Sequence, residues 1–388
     1  MRIYLDHNGT TPVRPEVARV MARVLREDFG NPSSVGAEGA TARALVEQAR
    51  AEVAGLLNVD PNEVRFTSGA TESNNTVIFG ALSPGDHVVT TRVEHPSVLA
   101  PIAFLEKRTL ERSAIEAGGL EVTRVAPDPD GCVEAAAVLD AIRPETRLVS
   151  VIWANNETGA LQPIEAIAKG CRERGVPFHT DATQAVGKAA VDLGRIPADL
   201  LSSSAHKLGG PKGVGALVVR GGVELPPYLH GGGQERGQRG GTENVAGIVG
   251  YGRACALARE EGPELAERSR KLRDRLWQGL CERIEGLRWN GDPERVLGNT
   301  LNVEIVGTAG EVLVQALDVE GVAVSAGAAC HSGSIEPSAV LTAMGRTPEQ
   351  ARASIRISVG HDNDDEQIDR VVALLAELVP RAREAGAS

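Results

Sequence analysis

Between Val64 and Val219 the chain alternates short apolar runs with stretches whose apolar residues recur at helical spacing. The runs are VRFTS, DHVVTT, LEVTRVA (Leu120 to Ala126), RLVSVIWA, VPFHTDA, Leu200 to Ser203 and Gly215 to Val219. Strands that are apolar on both faces and separated by helices predict an α/β fold, with a mainly parallel seven-stranded sheet between helices. Such sheets take ligands beyond the carboxyl ends of their strands. There the sequence sets SGATES, VEHPS, NNETG and DATQA after four of the runs, so one polar site is expected where these ends meet.

At about 150 residues per domain, 388 residues call for more than one packed core. Beyond the glycine loop His230 to Asn244 the texture changes. Helices are expected over Asn244 to Glu260 and Glu264 to Arg283, followed by TLNVEIV, a helix over Glu311 to Val319, VAVSAG, a helix over Ser338 to Met344, ASIRISVG and a closing helix. We read residues 14–258 as a large domain, and residues 1–13 and 259–388 as a smaller α+β domain.

A net charge of −11 and only 11 aromatic residues argue against a nucleic-acid binder. No stretch approaches the ~20 apolar residues that span a bilayer, and the start MRIYLDHNGT lacks the basic and apolar regions of a signal peptide. A cytoplasmic protein with no membrane partner is expected. Cys132, Cys171, Cys255, Cys281 and Cys330 are odd in number and widely spaced, which indicates neither a disulfide framework nor a zinc ribbon. No metal site is expected from His7 or His331, and the acidic run His361 to Gln367 reads as an N-cap for the last helix.

The G-x-x-x-x-G-K-[ST] and G-x-G-x-x-G fingerprints are absent. Ser68-Gly69-Ala70-Thr71 nevertheless sits between a strand and a helix, where backbone N–H groups hold a phosphate or merely form a tight turn capped near Thr71. The chain has six lysines. Of these, Lys207 follows small residues at a strand end and precedes a glycine turn, a setting in which a lysine can lose basicity and join an aldehyde cofactor. Nearby Lys212 reads as a surface lysine. Asp181 ends an apolar strand, where an acid must be paired, either as a helix cap or against a pyridinium nitrogen.

Taken together, LDHNGTTPVRPEV, GNPSS, FTSGATESNN, VEHPSV, NNETGALQPI, FHTDATQAVGK, SAHKLGGPKGVGAL, GGGQERGQRGGTEN, SAGAACHSGSIEPSAVL and ASIRISVG resemble the cysteine desulfurases of the NifS/IscS type. These are fold-type I, class V aminotransferase enzymes that use pyridoxal 5′-phosphate (PLP). The resemblance runs in order from Tyr4 to about Gly360. It implies Lys207 as the Schiff-base lysine, Asp181 as partner of the pyridinium nitrogen, Gln184 on the phenolate oxygen, and His95 stacked on the ring and assisting proton transfer. It further implies Ala70, Thr71, Ser204 and His206 at the phosphate, joined by Thr242 from the other subunit of a homodimer. Asn156 and Arg356 would grip the carboxylate of L-cysteine. Cys330, in a loop of small residues (Ser325 to Gly333), would take the sulfur as a persulfide, leaving alanine, and pass it to an acceptor protein. Iron–sulfur scaffolds and thio-cofactor or tRNA synthesis are the destinations the resemblance allows. A selenocysteine lyase or a cystine or cysteine C–S lyase on the same fold is the alternative.

Three motifs depart from the family pattern. His7 and Gly9 stand where DNNATT is usual, SAGAAC replaces SSGSAC, and Ala339 replaces a frequent histidine or tyrosine.

Overall fold

The computed structural model describes residues 2–112, 119–326 and 336–386. After β1 (Ile3–Tyr4), helices α1 (Pro15–Glu27) and α2 (Ala37–Leu57) precede β2 (Val64–Thr67). Pro15 opens α1, since its fixed φ suits a helix start and its missing N–H would have had no partner there. Asn58 closes α2 with a left-handed φ of 54°. There follow α3 (Ala70–Ala81), β3 (His87–Thr91), α4 (Pro96–Arg112), β4 (Glu121–Val125), α5 (Ala135–Asp140) and β5 (Thr146–Ser150). Next come α6 (Ile164–Glu173), β6 (Phe178–Asp181), β7 (Leu200–Ser204), β8 (Gly215–Val219), a short α7 (Gln234–Gly237) and α8 (Val245–Arg283). The remainder is β9 (Leu287–Trp289), β10 (Thr300–Ile305), α9 (Gly310–Val319), β11 (Val322–Ala323), α10 (Ala339–Ala343), α11 (Pro348–Arg352), β12 (Ser354–Ser358) and α12 (Asp365–Gly386).

Strands β2 to β8 form the expected seven-stranded sheet, in the order β2-β8-β7-β6-β5-β3-β4. Only the pairings made by β8 are antiparallel. The continuous apolar runs now have a cause. Successive side chains point to opposite faces, and both faces are covered. Val89, Val149, Leu201 and Val218 face a core with Val53 and Leu57 of α2 and Ile167 of α6. Their neighbours Val88, Leu148, Leu200 and Leu217 face a second core with Ile78 of α3 and Ile102 of α4.

A separate core surrounds the antiparallel sheet β12-β10-β9. Leu301, Val303, Ile305, Ile355 and Ile357 meet Leu272, Leu276 and Leu280 of α8 and Val371, Leu375 and Val379 of α12. Strand β1 joins this region by pairing in parallel with β11.

One local expectation fails. The two helices read over Asn244 to Glu260 and Glu264 to Arg283 are a single helix, α8, of 39 residues with Pro263 inside it. Gly262-Pro263 reads as a break because proline removes one helical hydrogen bond. Burial at both ends overrides it: Ile248, Tyr251 and Cys255 sit in the large sheet's core, while Leu272, Leu276 and Leu280 sit in the other. At 1.5 Å per residue the helix runs about 58 Å. Its start is capped by Asn244, whose side chain accepts from Gly247 N at 3.1 Å.

The glycine loop before α8 is fastened by a buried ion pair. Arg50 on α2 donates from both terminal nitrogens to Glu235 at 2.8 Å, and Glu235 also accepts from Phe66 N at 2.8 Å. Glu235 and Arg236 hold left-handed φ values of 46° and 59°, costly for residues with side chains, so the pair secures strained backbone. Replacing Glu235 with alanine leaves the buried guanidinium only the more exposed Glu47 and the Val64 carbonyl as partners and is expected to destabilise the protein by up to about 3–5 kcal/mol. Denaturant-unfolding midpoints of the variant and the parent measure this.

Candidate active site

The carboxyl ends of several strands of the large sheet deliver polar residues to one place. The buried carboxylate of Asp181, ending β6, accepts from Asn74 Nδ2 at 2.7 Å and Thr183 N at 3.0 Å. Asn74 lies on α3, after β2, and its Nδ2 also donates to Ser97 Oγ at 2.8 Å. Ser97 in turn contacts His95 Nδ1 at 2.7 Å, in the turn after β3. His95, Ser97, Asn74 and Asp181 therefore form one chain. Burial holds His95 below the ordinary histidine range, Lys207 pushes the same way, and Asp181 opposes both.

Lys207 lies in the turn after β7, and its Nζ donates to Asn8 O at 2.6 Å and Gly9 O at 2.7 Å. Carbonyls satisfy the ammonium without neutralising it. Burial and the charge of Arg356 lower its pKa to about 8, against Asp6 and Asp181. Gln184 Nε2 donates to the same Asn8 carbonyl at 2.8 Å, and its Oε1 accepts from Lys188 Nζ at 2.8 Å.

Arg356, on β12 and 1% exposed, reaches this cluster from the smaller sheet. Its terminal nitrogens donate to Asn156 O at 2.8 Å and Asp6 Oδ1 at 2.6 Å, while its buried Nε has no partner. Asn8 Nδ2 reaches Asn156 O at 3.3 Å and Thr300 Oγ1 at 2.8 Å.

The turn expected to hold an anion brackets the start of α3. Gly69 has φ 151°, and a Cβ there would lie 3.7 Å from Ser204 Oγ. Ala70 and Ser204 are buried and Thr71 is exposed. Residue 215 must be glycine, because a Cβ on it would strike the backbone of Ser203 and Gly69. His206 Nδ1 contacts Thr10 Oγ1 at 3.0 Å, and burial with the charges of Lys207, Lys212 and Lys188 lowers its pKa to about 4. Thr242 lies exposed in the loop between α7 and α8, outside this network.

Cys330 lies outside the described residues. Both flanks of its segment are fastened to the site: Ser325 and Arg356 exchange backbone hydrogen bonds, and Ser338, the N-cap of α10, donates to Glu157 Oε2 at 2.5 Å. Of the other thiols, Cys132, Cys171 and Cys255 are buried and Cys281 is exposed. Burial pushes Cys132 to about 11 and Cys171 to about 12 and raises the other two, so none of these four is primed as a nucleophile.

Several site residues escaped the sequence reading. Asp6 and Asn8 stand in LDHNGTT, where attention fell on the departures at positions 7 and 9. Lys188 lies four residues after Gln184 in DATQAVGK, a spacing that can bring side chains together. His7 is 2% exposed with both ring nitrogens unpartnered; burial and Lys188 lower its pKa to about 4, leaving it neutral. Its ring packs edge-on against Tyr4 and fills the space where a side chain on residue 360 would begin, so Gly360 is glycine by close approach. Glu94 accepts from Thr91 Oγ1 and Ile152 N, while its Oε2 has no partner. Burial, helped by Asp181, outweighs those bonds and raises its pKa to about 8.

A lysine-bearing turn and a strand-end carboxylate at the rim of a doubly covered sheet define a class of α/β enzymes that hold an aldehyde cofactor through an amine. The chain belongs to the class-V aminotransferase family, whose model matches residues 3–371. It is 47% identical to a protein of Methylobacillus flagellatus named cysteine desulfurase IscS, over 98% of this chain and 93% of the relative. A solved structure titled NifS-like protein superposes with a TM-score of 0.90 at 36% identity, covering 98% of this chain and all (100%) of the other. Another, titled SspA in complex with cysteine, gives a TM-score of 0.81 at 36% identity, over 93% of this chain and 99% of that one.

Enzymes of this family use PLP, and the donor set fits it. A weakly basic lysine, a buried carboxylate, an amide donor and a glycine turn at a helix start match an aldehyde, a pyridine nitrogen, a phenolate oxygen and a phosphate.

Two pH dependences follow. Amine-selective labelling of Lys207 in the cofactor-free protein, read by peptide mass spectrometry, should reach half its plateau rate near pH 8, as its lowered pKa dictates. Arg356→Gln should raise that midpoint, because the arginine charge lowers it. Glu94 has a folded pKa of about 8 against an unfolded value of about 4.3. Its folded form therefore holds the extra proton between these values, and stability is lost as pH rises through that window. Urea midpoints at pH 5.5 and 8 should fall further for the parent than for Glu94→Gln.

Proposed function

We propose that this chain is a PLP-dependent cysteine desulfurase that converts L-cysteine to L-alanine and carries the sulfur as a persulfide on Cys330. The observation that carries the reading is the convergence of Lys207, Gln184, Asp181 and His95 at one rim of the sheet, beside Arg356. When bound, PLP supplies an electron sink for charge developing on the substrate carbon.

Lys207 would hold the cofactor's aldehyde, and its amine would move the Cα proton of the substrate. Its lowered basicity favours the neutral amine that both tasks need. Asp181, fixed by Asn74 and Thr183 N, keeps a carboxylate at the ring nitrogen. Gln184, one N–H of which goes to the Asn8 carbonyl, would offer its other N–H to the phenolate oxygen. His95, with Nδ1 held by Ser97, would use Nε2 for proton exchange with the substrate. Ala70, Thr71, Ser204 and His206 surround the phosphate, and Thr242, exposed on its loop, reaches the site of the partner subunit in a homodimer. Asn156 and Arg356 receive the substrate carboxylate, for which the guanidinium has a free Nε and a terminal nitrogen shared with Asp6.

In the sulfur step the Cys330 thiolate attacks the substrate sulfur. The S–S bond forms as the Cβ–S bond breaks, the electron pair stays with the substrate carbon, and protonation there completes alanine. The fastening of Ser325 to Arg356 and of Ser338 to Glu157 supports a cysteine returned to the substrate-binding residues. The persulfide then passes to an acceptor protein, with an iron–sulfur scaffold among the candidates. The two separate cores joined by α8 support a large unit of residues 14–258 and a small unit of 1–13 and 259–388. Among the described residues no helix is long and apolar enough to cross a membrane, which is compatible with a cytoplasmic site of action.

Lys207→Ala should abolish the visible absorbance of bound PLP. Cys330→Ala should keep that absorbance and lose sulfide release from L-cysteine by about a hundredfold or more. Sulfide release by Cys330→Ala at the parent rate, with a thiol acceptor present, would overturn the persulfide route.

A further inference from the structure

Lys188 is a partly buried lysine to which the reading above gives no task. Its Nζ donates to Gln184 Oε1 at 2.8 Å and to Asn8 Oδ1 at 3.3 Å, both neutral acceptors. The charged groups around it are Lys207 and Arg356, both cations, and the ring of His7 faces it from β1's side. Burial and these like charges hold Lys188 well below the ordinary lysine range. An amine beside two other basic groups, with no carboxylate partner of its own, directs attention to what it holds in place.

Hydrogen-bond polarity answers that. The Asn8 carbonyl can only accept, whatever the protonation state of the lysine, and in the structure Lys188 Nζ is the donor to Gln184 Oε1. Between Lys188 Nζ and Asn8 O, the Gln184 amide has one satisfactory orientation: oxygen toward the lysine, nitrogen toward the carbonyl. The Asn8 side chain is fixed in the same way. Its oxygen takes Lys188 and Asn299 Nδ2 at 3.0 Å, while its nitrogen gives to Thr300 and Asn156 O. Lys207 then docks on the carbonyl of this same residue.

We propose that Lys188 is a positioning residue of the cofactor site, which locks the amide of Gln184 with its N–H toward the cofactor oxygen and fixes Asn8 as the rest for Lys207. The inference rests on the roles given above to Gln184 and Lys207. Lys188 itself touches no reacting atom.

The test is the pH titration of the visible band of the holoenzyme, compared among parent, Lys188→Met, Gln184→Ala and the double variant. An oriented N–H stabilises the deprotonated, anionic-oxygen form, so its loss should move the midpoint upward in Lys188→Met by about 0.5–1 pH unit. Gln184→Ala should show a similar rise, and the double variant no further one, because both changes remove the same interaction. A parent-like midpoint in Lys188→Met, or shifts that add in the double variant, overturns the proposal. Should Lys188→Met fail to fold, Lys188→Gln carries the comparison. Too short to serve both Gln184 and Asn8, it should also raise the midpoint, and a parent-like value overturns the proposal. A parent protein that takes up no PLP instead defeats the underlying functional reading.

Discussion

Three basic groups, Lys188, Lys207 and Arg356, crowd together at one end of the large sheet, with Asp6 and Asp181 as the carboxylates that act on them. Charges removed from solvent demand compensation. Here most of it comes from neutral oxygens: the carbonyls of Asn8, Gly9 and Asn156, and the side chains of Gln184 and Asn8. The site is therefore a cluster of basic groups with donors already aimed, a preorganised field for an anionic cofactor and substrate.

This arrangement dictates the chain's path. The compensating oxygens of Asn8 and Gly9 belong to the segment leaving β1, a strand that pairs with β11 beside the smaller sheet. That segment crosses to the lysine-bearing turn, where Thr11 N and Oγ1 both donate to His206 O. Arg356 enters from β12 of the same small sheet. The reactive rim of one sheet is thus completed by backbone and side chains supplied from the other, while α8 packs into both cores.

Much of this was legible beforehand because it follows from local pattern. Continuous apolar runs marked strands covered on both faces, and polar clusters at their ends marked the rim. Motif resemblance singled out Lys207, Asp181, Gln184 and His95, and the fold gathers them. The continuity of α8 was not legible, since a Gly-Pro pair reads as a break unless the burial at both ends is known. Nor were the roles of Asn8 and Asp6. Their partners lie far away in sequence, as with Asp6 and Arg356 (350 residues apart) or Asn8 and Lys188 (180 apart). No periodicity encodes such a pairing. Lys188 was one of the six lysines, and nothing local marks a lysine as drawn toward a distant asparagine.

The close approach of His7 and Gly360 bears on how such a chain can change over generations. Any side chain at residue 360 needs the space taken by the imidazole, so a substitution there is closed until residue 7 has become smaller or turned aside. The reverse order stays open, because shrinking residue 7 obstructs nothing. The two positions, at opposite ends of the polypeptide, therefore share a one-way mutational path: variation at 7 can precede variation at 360, and histidine can return at 7 only while glycine persists at 360.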